Sequence, residues 1–176
     1  MNNQIFTPIY NNPAASLEKF ISFSRNKLTA FGSNCWESNQ WREDFGIHNI
    51  QVRFSTDRVG STAYHYEPLS QPFVEFAKAY IRYVYSMKPI RQLARHIESL
   101  RIVEIALYNI KGESNILSLD NLVINEVENI VLKKYNKNTD SVNRLGYQLE
   151  KLFDFCRENN FTPKLPLWKN LSPLPI

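Results

Sequence analysis

Glycine is scarce in this chain, five residues in 176. Barrels and sandwiches built on many tight turns are therefore disfavoured against a helical fold. Cysteine is nearly absent: Cys35 and Cys156 are too few and too far apart for a disulfide framework or a metal-ligand pair, and both read as reduced, buried thiols. No apolar run approaches the roughly 18 residues of a membrane-spanning helix, and the polar start Met1–Gln4 is unlike a signal peptide. These absences predict a cytoplasmic protein with no membrane partner.

Catalytic signatures are missing as well. The chain contains no G-x-x-x-x-G-K, G-x-G-x-x-G, H-E-x-x-H or G-x-S-x-G, which argues against nucleotide hydrolysis and the commoner hydrolytic sites. His48, His65 and His96 are dispersed, and the carboxylate pairs Glu126/Glu128 and Glu43/Asp44 read as solvated charges. The expectation is no active site, no metal and no cofactor.

What is present is a chain 43% hydrophobic, 13% aromatic and 22% charged, sufficient for one folded core. Its net charge of +4 is local. Residues 1–67 carry six basic and six acidic groups, and residues 112–176 carry eight of each. Residues 68–111 carry seven basic groups against Glu75, Glu98 and Glu104, so the whole excess lies there.

Apolar spacing predicts a helix from Pro13 to Leu28, with Ser16 as an available N-cap. Residues 32–46 read as a loop pinned by Trp36 and Trp41, taken as packing anchors. Alternation at Ile50, Val52 and Phe54 predicts a strand, turned at Asp57–Gly60 into a second strand at Thr62–Tyr66. After Pro68 four helices follow. The first has Pro72 in its opening turn and ends near Met87, and the second starts at Pro89 and closes at Lys111-Gly112. A third is capped by Asp120 and stops at the polar run KKYNKNTD, and the fourth runs from Thr139 or Asp140 to about Asn159. The proline-rich end reads as an extended linker.

Placed on these helices, Lys88, Arg91 and Arg95 share one element and Asn143, Arg144, Gln148 and Lys151 another. Lys78 and Arg82 form a further basic pair, four residues apart. Lys and Arg neutralise phosphates, while Asn, Gln and Arg hydrogen-bond base edges in the major groove. By charge alone, the same residues also fit ordinary solvated helix faces.

The segment SVNRLGYQLEKLFDFCRENNFTPKLPLWKN, Ser141 to Asn170, resembles the last helix of the core-binding domain of tyrosine recombinases, the phage integrase family. Asn143-Arg144, Leu149, Phe153-Asp154-Phe155 and the Trp168-Lys169-Asn170 stretch carry the likeness. PFVEFAKAYIRYVYS is similar to the family's opening helix, so the resemblance covers about residues 68–170. PIRQLARHIESLRIVEIAL lacks the tyrosine usual in the family's second helix, and Gly146 within the fourth is unusual.

The resemblance implies a mainly α protein. A small mixed α/β appendage at 1–67 would precede a four-helix, SAM-like core-binding bundle at 68–162, with a linker at 163–176 toward a catalytic domain beyond Ile176. It implies a DNA-binding, non-catalytic part of a site-specific recombinase, active in DNA integration and recombination of a mobile element. The part would clamp double-stranded DNA at the core site through Lys88, Arg91, Arg95, Asn143, Arg144, Gln148 and Lys151. Other recombinase protomers would be its protein partners, in a bacterial or phage setting at the nucleoid. None of the nine tyrosines is assigned the nucleophile's role. The alternative is a helical protein-interaction domain with Trp36, Trp41 and the strand near Val52 exposed as hot spots. A transcriptional helix-turn-helix is disfavoured because no short helix pair with a glycine-containing turn is evident.

Overall fold

The computed structural model describes residues 5–56, 67–135 and 139–171. The chain is mainly helical: α1 (Pro13–Lys27), α2 (Phe73–Met87), α3 (Ala94–Lys111), α4 (Asn121–Tyr135) and α5 (Thr139–Glu158), with a 3-10 turn at Ile116–Ser118. Strands β1 (Gln40–Phe45) and β2 (His48–Arg53) form an antiparallel hairpin, and β3 (Ser55–Thr56) pairs antiparallel with β4 (Glu67–Pro68).

Capping chemistry sets several helix ends. Asn12, not Ser16, caps α1: its side chain accepts from Ala15 N at 3.1 Å, with Pro13 in the first turn. Ser16 is buried, accepting from Ile9 N and donating to Asn159 O at 2.8 Å, so it fastens α1 to the end of α5. Gly112 closes α3 with φ 73°, a left-handed conformation that glycine adopts without a Cβ penalty. Asp120 caps α4 by accepting from Val123 N at 3.1 Å.

Two helix boundaries depart from expectation. α3 begins at Ala94, five residues after Pro89. Lys88 is extended, at φ −149°, as a residue before proline prefers, and residues 89–93 stay non-helical while Leu93 anchors them in the core. Lys88, Arg91 and Arg95 therefore do not share a helix. α4 runs on to Tyr135, carrying Lys133 and Lys134 past the expected break.

The hairpin also differs. β2 pairs with β1, in the segment expected to be a loop, with Trp41 opposite Val52 and Glu43 opposite Ile50. Gly46, at φ 62°, opens the two-residue turn between them. The expected partner strand Thr62–Tyr66 lies outside the described residues.

One hydrophobic cluster runs from Phe6 through Trp41, Phe54 and Phe76 to Phe161 and Trp168. α2 packs on α1 and on α3. Phe20 of α1 meets Phe76 and Tyr83 of α2, Phe155 of α5 and Phe161 beyond it, so α1 shares its core with the later helices. The described part of the proline-rich end is packed down: Phe161, Leu165 and Trp168 are buried, and Trp168 Nε1 donates to Glu128 Oε1 at 2.8 Å. Asn170 Nδ2 donates to Asn143 O at 2.9 Å, and its side chain lies over Gly146, where a Cβ would overlap Asn170 Oδ1. Close packing explains the glycine within α5.

Candidate nucleic-acid interface

On α5, the four-residue spacing of Asn143, Tyr147 and Lys151, with Arg144 and Gln148 beside them, turns these side chains to one flank. A groove of about 770 Å³ lies along it, lined by Asn143, Arg144, Tyr147, Gln148 and Asn170 on one side and by Gln92, Ala94 and Arg95 from the start of α3 on the other. A second cleft, of about 470 Å³, shares Tyr147 and Gln148 with the first and adds Lys88, Lys151, His96 and the aromatic rings Tyr80, Tyr83 and Phe155. Six of the seven residues expected to touch DNA thus line two adjoining depressions. Arg91 lines a third, which shares Gln92 and Ala94 with the first and includes Arg53 and Arg101.

The cations differ in how they are held. Lys88, Arg91, Arg144 and Lys151 are exposed. Arg144 pairs with Asp140 at 3.3 Å, a solvated contact of small energetic weight, and Lys151 Nζ sits 4.6 Å from the Tyr147 ring centroid. Arg95 is more constrained. Its guanidinium donates to Glu98 Oε2 at 2.8 Å and to the Tyr135 hydroxyl at 3.1 Å, and Lys134 pairs with the same carboxylate at 3.1 Å. The Tyr135 hydroxyl in turn donates to Glu98 Oε1. This acid, which restrains two cations beside the groove, carried no sequence signal, because its partners come from another helix.

Lys78 and Arg82, read as a surface pair, are buried at 3% and 4% exposure. Lys78 Nζ donates to Trp36 O at 2.6 Å and lies over the rings of Trp41 and Phe54. Arg82 donates to the carbonyls of Ser24, Arg25 and Phe31, and its guanidinium carbon lies 4.9 Å from the Trp41 ring centroid. Burial lowers the pKa of both cations, while the carbonyls and aromatic faces supply compensating partners. Their positive charge serves the interior.

Trp36 and Trp41 are accordingly core residues, as expected, and with the buried Val52 they cannot act as exposed hot spots. Cys35 is exposed, contrary to expectation, with its thiol donating to Glu37 Oε2 at 3.1 Å, whereas Cys156 is fully buried and its thiol pKa is pushed up by desolvation.

His96 was read as a surface or partly buried histidine. It is 4% exposed, and burial, helped by the nearby Lys151 charge, lowers its pKa to about 4. The ring is neutral at pH 7 and its Nδ1 has no hydrogen-bond partner. The buried Oε1 of Gln148 also lacks one. Among the described residues no group of three or more His, Cys, Asp or Glu side chains is placed to hold a metal ion, and no helix is long and apolar enough to cross a membrane.

No family model matches the chain, and neither the curated proteins nor the solved structures include a significant match. The reading of this face therefore rests on its own geometry.

Proposed function

We propose that the chain binds double-stranded DNA across the face where α3 and α5 meet, as the non-catalytic clamp of an integrase-like site-specific recombinase. The observation that carries this reading is the convergence of Lys88, Arg95, Asn143, Arg144, Gln148 and Lys151, from three stretches of sequence, on two adjoining grooves. Exposed Lys and Arg supply phosphate contacts, and Asn143 and Gln148 supply amides suited to base edges. In this reading α2–α5 form the core-binding bundle, and a separate catalytic domain would complete the clamp around the duplex.

Backbone-dominated contact gives a dissociation constant of roughly 10⁻⁴ to 10⁻⁶ M at physiological salt, falling steeply in affinity as salt rises. Fluorescence anisotropy on a labelled duplex over a salt series tests it. Replacing Arg91 and Arg95 together with Ala lowers the slope of log K against log salt by about 2. An unchanged slope removes the start of α3 from the interface, and no salt-dependent binding at all ends the DNA reading.

A further inference from the structure

The cleft at Lys88, His96 and Lys151 holds more than phosphate chemistry. Its wall is aromatic, from Tyr83 and Phe155, and its interior presents two polar atoms with no partner, His96 Nδ1 and Gln148 Oε1. Leaving a buried polar atom unpaired costs about 1–3 kcal/mol, so two in one cleft mark a place where a ligand would complete the hydrogen bonding. His96 is more than nine-tenths buried, and its ring lines the cleft. Two exposed lysines complete the lining.

We propose that this cleft accepts one unpaired nucleotide: the base enters beside Tyr83 and Phe155, its edge meets His96 and Gln148, and its phosphate lies between Lys88 and Lys151. A nucleobase supplies what the cleft asks for, a flat face for aromatic contact and an edge carrying both donors and acceptors. The neutral imidazole offers either a donor or an acceptor at Nδ1 according to tautomer, and the Gln148 oxygen accepts. The volume, about 470 Å³, falls within the range of small-ligand sites and leaves room for base and sugar. A base held in a duplex cannot reach this depth, so the ligand is either a free mononucleotide or a base displaced from the stack. Only the second source rests on the DNA reading.

Three probes separate the sources: a matched duplex, the same duplex with a single-nucleotide 2-aminopurine bulge, and adenosine monophosphate. The expected result is binding of the bulged duplex at least about fivefold tighter than the matched one, with 2-aminopurine fluorescence quenched on binding. His96→Leu should abolish that preference while binding the matched duplex as the native chain does, since His96 is not among the proposed phosphate contacts. Should His96→Leu fail to fold, Tyr83→Ala reports on the same wall. Saturable binding of the mononucleotide without binding of either duplex supports the cleft and overturns the DNA reading. Equal binding of the two duplexes with no fluorescence change and no mononucleotide binding overturns the cleft and leaves the DNA reading standing.

Discussion

Replacing Gly146 with Ala sets two effects of known sign against each other. In a helix interior Ala is favoured over Gly by about 0.8–1.0 kcal/mol, so a Gly146 chosen only by chance would yield a stabilised variant. The structure forbids that gain. A Cβ at 146 would overlap Asn170 Oδ1 and lie 2.6 Å from Asn170 Cγ, forcing the amide off α5 and breaking its bond to Asn143 O, worth about 0.5–1.5 kcal/mol. Displacement also strains the attachment of Trp168, two residues away, which packs edge-on against Phe153 at 5.4 Å and donates to Glu128. The expected outcome is a net loss of about 1 kcal/mol for Gly146→Ala in the native background and a gain of about 1 kcal/mol in an Asn170→Ala background, a coupling near 2 kcal/mol. Urea unfolding monitored by tryptophan fluorescence, run on all four members of the cycle, measures it. Stabilisation of similar size in both backgrounds would refute the claim that residues 161–170 are locked onto α5.

His96 makes stability depend on pH in a stated direction. Its folded pKa, about 4, lies below the ordinary value of 6.5, so the unfolded chain takes up a proton that the folded chain refuses. Above pH 6.5 the residue is neutral in both states and costs nothing; as pH falls from 6.5 toward 4 it destabilises the fold by up to about 3 kcal/mol. A His96→Gln variant should lose less stability than the native chain across that window in parallel denaturation curves, and identical losses would show that His96 protonates freely in the fold. Glu98→Gln tests the acid beside the groove. It keeps an acceptor for Tyr135 and frees Arg95 and Lys134 from a carboxylate only 14% exposed, so duplex affinity should rise about three- to tenfold with a steeper salt slope. Unaltered affinity would place Arg95 and Lys134 outside the contact.

Local signals were legible where the chain obeys local rules. The stripe of α2, the pre-proline stop after Met87, the Gly112 terminus and the Asp120 cap each follow from residues within a few positions of one another. β1 was hidden because Glu43 occupies a place on its inner face, and the reason for that acid is tertiary: its carboxylate accepts from Phe31 N, in the loop after α1. Ser16 is misleading for the same reason, since a serine near a helix start looks like a cap whether or not its partner is Asn159 at the far end of the chain. The candidate site was half legible. Spacing on α5 placed Asn143, Arg144, Gln148 and Lys151 together, but His96, Glu98 and Asn170 entered only through packing between elements.

Where the charge ends up matters more than its sum. The seven cations of residues 68–111 suggested a concentrated positive field, yet Lys78 and Arg82 point into the aromatic interior and Arg101 donates to the carbonyls of Ser55 and Arg53. Lys111 pairs with Asp120 at 2.5 Å and Arg95 with Glu98. Lys88 and Arg91 are what this segment presents openly to the grooves, and Arg144 and Lys151, from a stretch that is neutral overall, complete the set. A face of about four available cations predicts a salt slope near −3.6, about half of what all seven cations would give. The shape of the grooves, which draws four separate cations and two amides to one place, therefore carries the DNA reading further than net charge does.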